Sequence, residues 1–175
     1  SFGISIVLRS IMYITDNFTL SEMCKSSTAE KEKIDNTPDT QSIINLTHLC
    51  LKVLQPIRDF AGWIVVSSGY RCKELQRIIG SSATSQHTYG MAADIKLPLK
   101  NQMTHGQLAN WIANNLVFDQ LILEFFHESD PHSGWIHVSI NTEPGSANRL
   151  QCLRAVKEDG KTVYVPILDH FDSLK

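Results

Sequence analysis

SQHTYGMAADI, residues 85–95, sets a histidine, a glycine and an aspartate ahead of what reads as the start of a buried strand. His87 and Asp94 stand seven positions apart across Gly90. Two readings fit: a plain turn entering a strand, or two metal ligands brought to one point. In the longer run GMAADIKL, strand alternation sends Met91, Ala93, Ile95 and Leu97 one way and Ala92, Asp94 and Lys96 the other.

Two more segments alternate in the same manner. In FDQLILEFF, Leu121, Leu123 and Phe125 share a face, opposite Gln120, Ile122 and Glu124. In WIHVSI, Ile136, Val138 and Ile140 form the apolar side, leaving Trp135, His137 and Ser139 across from them. If the apolar sides all pack on helices, Asp94, Glu124 and His137 emerge together on the other face, because a one-residue slip would turn each of them inward. Gly90 lets the loop turn sharply enough to carry His87 back over the Asp94 strand.

Two imidazoles and one carboxylate, with a coordination position left for water, form the ligand set of a catalytic zinc site. Zinc lowers the pKa of such a water from about 15.7 toward ~7. Glu124, on a neighbouring strand and free of the metal, has the chemistry to take that water's proton and hand it to a leaving amine. Each residue also has an ordinary reading: His87 as a satisfied surface residue, Asp94 as a turn cap, Glu124 as a solvated strand residue. The agreement of three alternation patterns on one face is what favours the site.

The helices lie mostly before these strands. Thr19 and Glu22 read as a capping box stapled by Phe18 and Met23, and Thr104 and Gln107 as another, stapled by Met103 and Leu108. Thr37 is placed to cap a helix opening at Pro38, with Ile43, Leu46, Cys50, Val53, Ile57 and Phe60 on one buried stripe and Pro56 expected to kink or break it. WIVVSSG (63–69) reads as a strand, and LQCLRAVKEDGKTVYVPI as a hairpin closing on Asp159-Gly160. Helices first and mixed strands after predict an α+β fold, a small antiparallel sheet packed on N-terminal helices.

Composition bounds the partners. The chain of 175 residues has a net charge of -2 with scattered Lys and Arg, which gives no case for nucleic acid. No apolar run approaches the ~20 residues of a membrane span. The four cysteines, Cys24, Cys50, Cys72 and Cys152, include no C-x-x-C pair; Cys24 and Cys50 fall in helical patterns as core thiols. The apolar opening is interrupted by Arg9 and makes a poor signal peptide, so residues 1–11 are set apart as a leader or appended segment, and localisation is left open.

SSGYRCKELQRIIGSSATSQHTYGMAADI, with FDQLILEF and GWIHVSI, closely resembles the zinc D-Ala-D-Ala carboxypeptidases and related peptidoglycan peptidases, whose fold is shared with the hedgehog signalling domain. The family pattern S-x-H-x-x-G-x-A-x-D followed by a distant W-x-H is occupied by Ser85, His87, Gly90, Ala92, Asp94, Trp135 and His137. FTLSEMCKSSTAEKEKIDNTP and LRAVKEDGKTVY are similar to the phage and Bacteroidetes-type branch. The resemblance implies a single zinc peptidase domain over 12–175, acting as a monomer at the cell wall on peptidoglycan stem peptides, with one Zn2+ held by His87, Asp94 and His137. It implies Arg71 as the group that holds the substrate's carboxylate or carbonyl oxygen, and Ser85 as a substrate-side residue that orients the site.

Two departures from the family pattern stand out. Several branches carry the catalytic acid three residues before the last histidine, and that position here is Gly134; the resemblance then implies Glu124 instead. The longer loop FHESDPHSG offers His127, Glu128, Asp130 and His132, which read as a polar hairpin tip, with His132 a lesser candidate near the oxyanion. Gly80-Ser81-Ser82 replaces a common G-G-S and touches loop shape.

Three rivals remain at this point. A hedgehog-like zinc-containing binding module would keep the ligands without turnover, and a Glu124→Gln variant separates the two. A non-haem iron oxygenase also uses two histidines and a carboxylate, but on an all-β barrel with close H-x-D spacing. A purely structural zinc site would have four closed protein ligands. Which peptidoglycan bond is cut is not legible; Arg71 leans weakly toward a free carboxylate in the substrate.

Overall fold

The computed structural model describes residues 11–167. Residues 1–10 of the segment set apart above, and 168–175 at the other end, lie outside the described residues. The elements are α1 (Leu20–Cys24), α2 (Ser27–Glu32), α3 (Thr40–Leu49), α4 (Gln55–Ala61), β1 (Val65–Ser68), α5 (Lys73–Ile79), β2 (Ala92–Lys96), α6 (His105–Asn115), β3 (Gln120–Glu124), β4 (Trp135–Ser139), β5 (Gln151–Glu158) and β6 (Lys161–Pro166). The mixed α+β composition agrees with the expectation. None of the described helices is long and apolar enough to cross a membrane.

The strands form one six-stranded sheet in the order β1-β2-β4-β3-β5-β6. The antiparallel sheet expected from the sequence needs one correction: β5 runs parallel to β3, while the other pairs are antiparallel. The chain leaves β4, loops through residues 140–150 and enters β5 alongside β3, a non-local pairing that no short-range turn signal announces. The β5–β6 hairpin itself closes as expected, with Asp159 at φ 48° and Gly160 at φ 76°, the two left-handed residues a tight hairpin turn requires.

The alternation assigned to the strands is observed except at Phe125, which follows the end of β3 with φ 51°, leaves the face of Leu121 and Leu123 to pack by Ile122, and yields the core position to Phe126. Ala93, Ile95, Leu121, Leu123, Ile136 and Val138 are fully buried in one cluster with Leu46, Leu49, Val53, Ile57, Leu108 and Ile112 of the helices. Burying this many aliphatic side chains at about 1.5–3 kcal/mol each supplies the main driving force and pins the register of β2, β3 and β4.

The long helix differs from its sequence reading in three ways. Its cap is Asp39, whose carboxylate accepts from the Ser42 N–H at 2.7 Å, and not Thr37, whose hydroxyl and N–H are both bonded to Asp35. An ionised carboxylate at the helix N-terminus combines capping with a favourable dipole interaction. Pro56 does not break the helix: a π-turn over Cys50–Leu54 precedes it, and the wider turn removes the need for an N–H at that position. Phe60 is 45% exposed and leaves the stripe to stack on Trp111, ring centroids 4.1 Å apart, while Ile43 is only half-buried and Ser42 and Asn45, outside the expected stripe, are buried.

Thr19 and Thr104 cap α1 and α6 as expected, and the complete capping box is at Thr104–Gln107. All four cysteines are free thiols; Cys50 is buried and Cys24 half-buried.

Candidate metal centre

Asp94 and His137 face one another across β2 and β4, and Ile122 faces His137 from the other side on β3. Glu124 pairs with Trp135, one step along the same face. His87 sits in a 3-10 turn, Gln86–Tyr89, that precedes β2. The turn ends at Gly90, whose φ of +72° and whose approach to the Ser42 carbonyl exclude a side chain. Asn45 holds the same turn by donating to the Tyr89 carbonyl at 2.8 Å, which explains why a polar residue occupies the buried helix face.

These placements bring His87, Asp94 and His137 together, with one ligand atom from each lying within 4.8 Å of the others. Asp94 Oδ1 lies 3.3 Å from His87 Nε2 and 3.0 Å from His137 Nδ1. His87 Nδ1–H donates to the Gly69 carbonyl at 2.7 Å, which fixes the tautomer and turns the lone pair of Nε2 toward the carboxylate. Burial lowers the His87 pKa and outweighs the opposing pull of Asp94, which favours the uncharged ring. With that tautomer, Nε2 and the carboxylate oxygen face each other as two electron-pair donors, an arrangement suited to a shared cation. Ligands about 2.1 Å from a tetrahedral ion stand roughly 3.4 Å apart, and the observed spacings fit.

Arg71 closes the second layer. Its Nη2 donates to Asp94 Oδ2 at 2.9 Å, its Nε to Ser68 Oγ at 2.8 Å and its Nη1 to Gln76 Oε1 at 3.3 Å. Its backbone N–H donates to the His87 carbonyl at 3.1 Å, so one residue steadies two of the three ligands. Burial by itself would raise the Asp94 carboxyl, but the neighbouring His137 and His87 rings outweigh it and hold the group well below the ordinary carboxylate range. Ser85 caps the 3-10 turn, its Oγ accepting from the His87 N–H at 3.4 Å, and lines the cleft.

Glu124 is half-buried, and its carboxylate makes no hydrogen bond with another described residue. Burial raises its pKa, with the nearby Asp94 charge adding to the rise and His137 and Arg71 opposing it. It lines the same cleft of about 630 Å³ as the three ligands, Arg71 and Ser85. Gly134, at the position where some relatives carry an acid, has φ +66°, and a Cβ there would collide with the Glu124 carbonyl oxygen. The backbone at that point admits no side chain.

The loop after β3 is a polar tip. Residues His127, Glu128 and Asp130 are exposed, Ser133 Oγ ties the turn together, and neither these residues nor His132 lines the cleft. His132 therefore does not approach the site as its place in the sequence allowed. Ser81 and Ser82 do line it, so the Gly80-Ser81-Ser82 loop forms part of the cleft wall.

Several supporting residues escaped the sequence reading. Asp119, 2% exposed just before β3, accepts from Gln86 next to His87 at 3.0 Å and from the Arg149 guanidinium at 2.6 Å. An acid directly ahead of an apolar strand was its only local signal. Tyr164 and Leu153 of the C-terminal hairpin reach the cleft through the parallel β3–β5 pairing, which has no local signal.

No curated protein matches the chain. A family described as Peptidase M15 matches residues 16–139, a span that holds all three candidate ligands, Arg71, Ser85 and Glu124. By that match over most of its length, the chain belongs to the peptidase M15 family.

Proposed function

We propose that the protein is a zinc-dependent peptidase that hydrolyses amide bonds in peptidoglycan peptides, as a carboxypeptidase or an endopeptidase. The observation that carries this reading is the convergence of His87, Asp94 and His137 in one cleft with Glu124, a carboxylate raised by burial and without a hydrogen bond among the described residues. His87, Asp94 and His137 would hold one Zn2+, which supplies Lewis acidity and a water of lowered pKa when bound. Glu124 takes the proton from the attacking water and delivers it to the leaving amide nitrogen, a transfer for which a raised carboxyl pKa is suited.

Arg71 has five N–H donors, three of them already bonded to Ser68, Gln76 and Asp94. The remaining two are assigned to the substrate's carboxylate or to the carbonyl oxygen as charge develops on it. Ser85 serves the substrate side of the cleft while holding the His87 turn.

The test is incubation of the purified protein with muropeptides, with and without a chelator, followed by mass spectrometry. Free alanine identifies carboxypeptidase action, and split stems or cross-links identify an endopeptidase. Absence of any chelator-sensitive product would replace the proposal with a binding module.

A further inference from the structure

The cleft does not end at Glu124. Beyond it the parallel pairing sets Leu153 beside Ile122 and Ala155 beside Glu124, and the hairpin then sets Tyr164 beside Ala155. Ile122, Leu153 and Ala155 form an apolar cluster of their own on the cleft face, separate from the main core. Ile122 and Leu153, 6% and 8% exposed, line the cleft as its apolar floor. Along one edge, Gln120 Nε2 donates to Gln151 Oε1 at 2.8 Å. That bond leaves the Gln151 amide N–H groups and Gln120 Oε1 without a partner among the described residues, which is the donor and acceptor pair a peptide group needs.

The hairpin lies outside the span matched by the family, which stops at residue 139. Crossing from His137 on β4 through β3 and β5 to β6 takes three strand spacings, about 14 Å, the length of roughly four extended residues.

We propose that the β5–β6 hairpin builds a substrate subsite on the side of Glu124 away from Arg71. Ile122 and Leu153 receive a small aliphatic side chain, Gln120 and Gln151 bind the adjacent peptide group, and Tyr164 forms the rim. The subsite holds several residues on one flank of the bond to be cut and sets the length preference of the enzyme. This inference rests on the peptidase reading given above.

The test uses zinc-loaded Glu124→Gln protein, so that bound peptide is not turned over. Its affinity is measured by calorimetry for a stem-type pentapeptide ending in D-Ala-D-Ala and for two peptides shortened from either end. Tyr164→Ala and Gln151→Ala, both at exposed positions that should leave folding intact, are added separately. The expected result is a Kd for the pentapeptide raised about 5- to 20-fold by each, a size typical of losing one or two contacts. One of the shortened peptides should bind parent and variants alike. An unchanged pentapeptide Kd in both variants, or an equal loss for all three peptides, would overturn the subsite. Cleavage of the pentapeptide by the unsubstituted protein is followed in parallel. Cleavage with unchanged variant affinities defeats the subsite alone, whereas neither cleavage nor binding by the unsubstituted chain defeats the peptidase reading and the subsite with it.

Discussion

Arg71 and Asp94 form a partly buried ion pair in which the guanidinium takes one carboxylate oxygen, at 2.9 Å, and leaves the other to the two imidazoles. The division of labour between the two oxygens orients Asp94 as a one-oxygen ligand. Outer partners of this kind typically govern metal affinity by 10- to 100-fold. Arg71→Ala should therefore weaken zinc binding by about that factor, as read by competition with a chromogenic chelator, in addition to lowering turnover. Zinc affinity equal to that of the wild type would restrict Arg71 to the substrate.

Glu124 touches none of the three ligands by hydrogen bond and shares their cleft. Glu124→Gln keeps the shape and removes the proton carrier. Turnover of muropeptides should fall about 10²- to 10⁴-fold while zinc stoichiometry and substrate affinity stay near wild type. Loss of zinc in this variant would instead make Glu124 a ligand.

Gly134 combines φ +66° with a clash between any Cβ and the Glu124 carbonyl oxygen. Gly134→Ala should cost about 1–3 kcal/mol in denaturant unfolding, and activity should drop with it because the Glu124 strand end is displaced. A variant as stable and active as wild type would contradict the tight backbone approach.

Asp119 links the His87 turn to the β4–β5 connection through Gln86 and Arg149. Burial would raise its carboxyl, but the hydrogen bonds from Arg149 and Gln86 prevail and hold it below the ordinary range. The folded value therefore lies under the unfolded one, so the contribution is complete above about pH 4 and fades as pH falls through the folded value. Asp119→Asn should lower stability by ~2 kcal/mol at neutral pH and flatten the acid decline relative to wild type. Parallel stability curves would show that the pair is energetically silent.

The candidate site was legible because alternation in a half-buried strand is a local property. Ala93, Leu123 and Ile136 sink into the core, and their neighbours Asp94, Glu124 and His137 emerge on the other face without any need to know the strand order. The parallel β3–β5 pairing was not legible, since nothing near either strand specifies so distant a partner; Tyr164 and Leu153 were hidden with it. The long helix misled for a different reason. Its periodicity marks a buried face, but Ser42 and Asn45 share that face; Asn45 is there because it holds the His87 turn through the Tyr89 carbonyl, a tertiary demand that hydropathy does not encode.

The most direct measurement is zinc stoichiometry and affinity in the wild type and in His87→Ala, Asp94→Asn and His137→Ala. One ion per chain in the wild type, with affinity reduced at least 100-fold in each variant whose circular dichroism remains native, is the expected result. Zinc held equally well without these side chains, or no zinc held by the wild type, would contradict the metal centre.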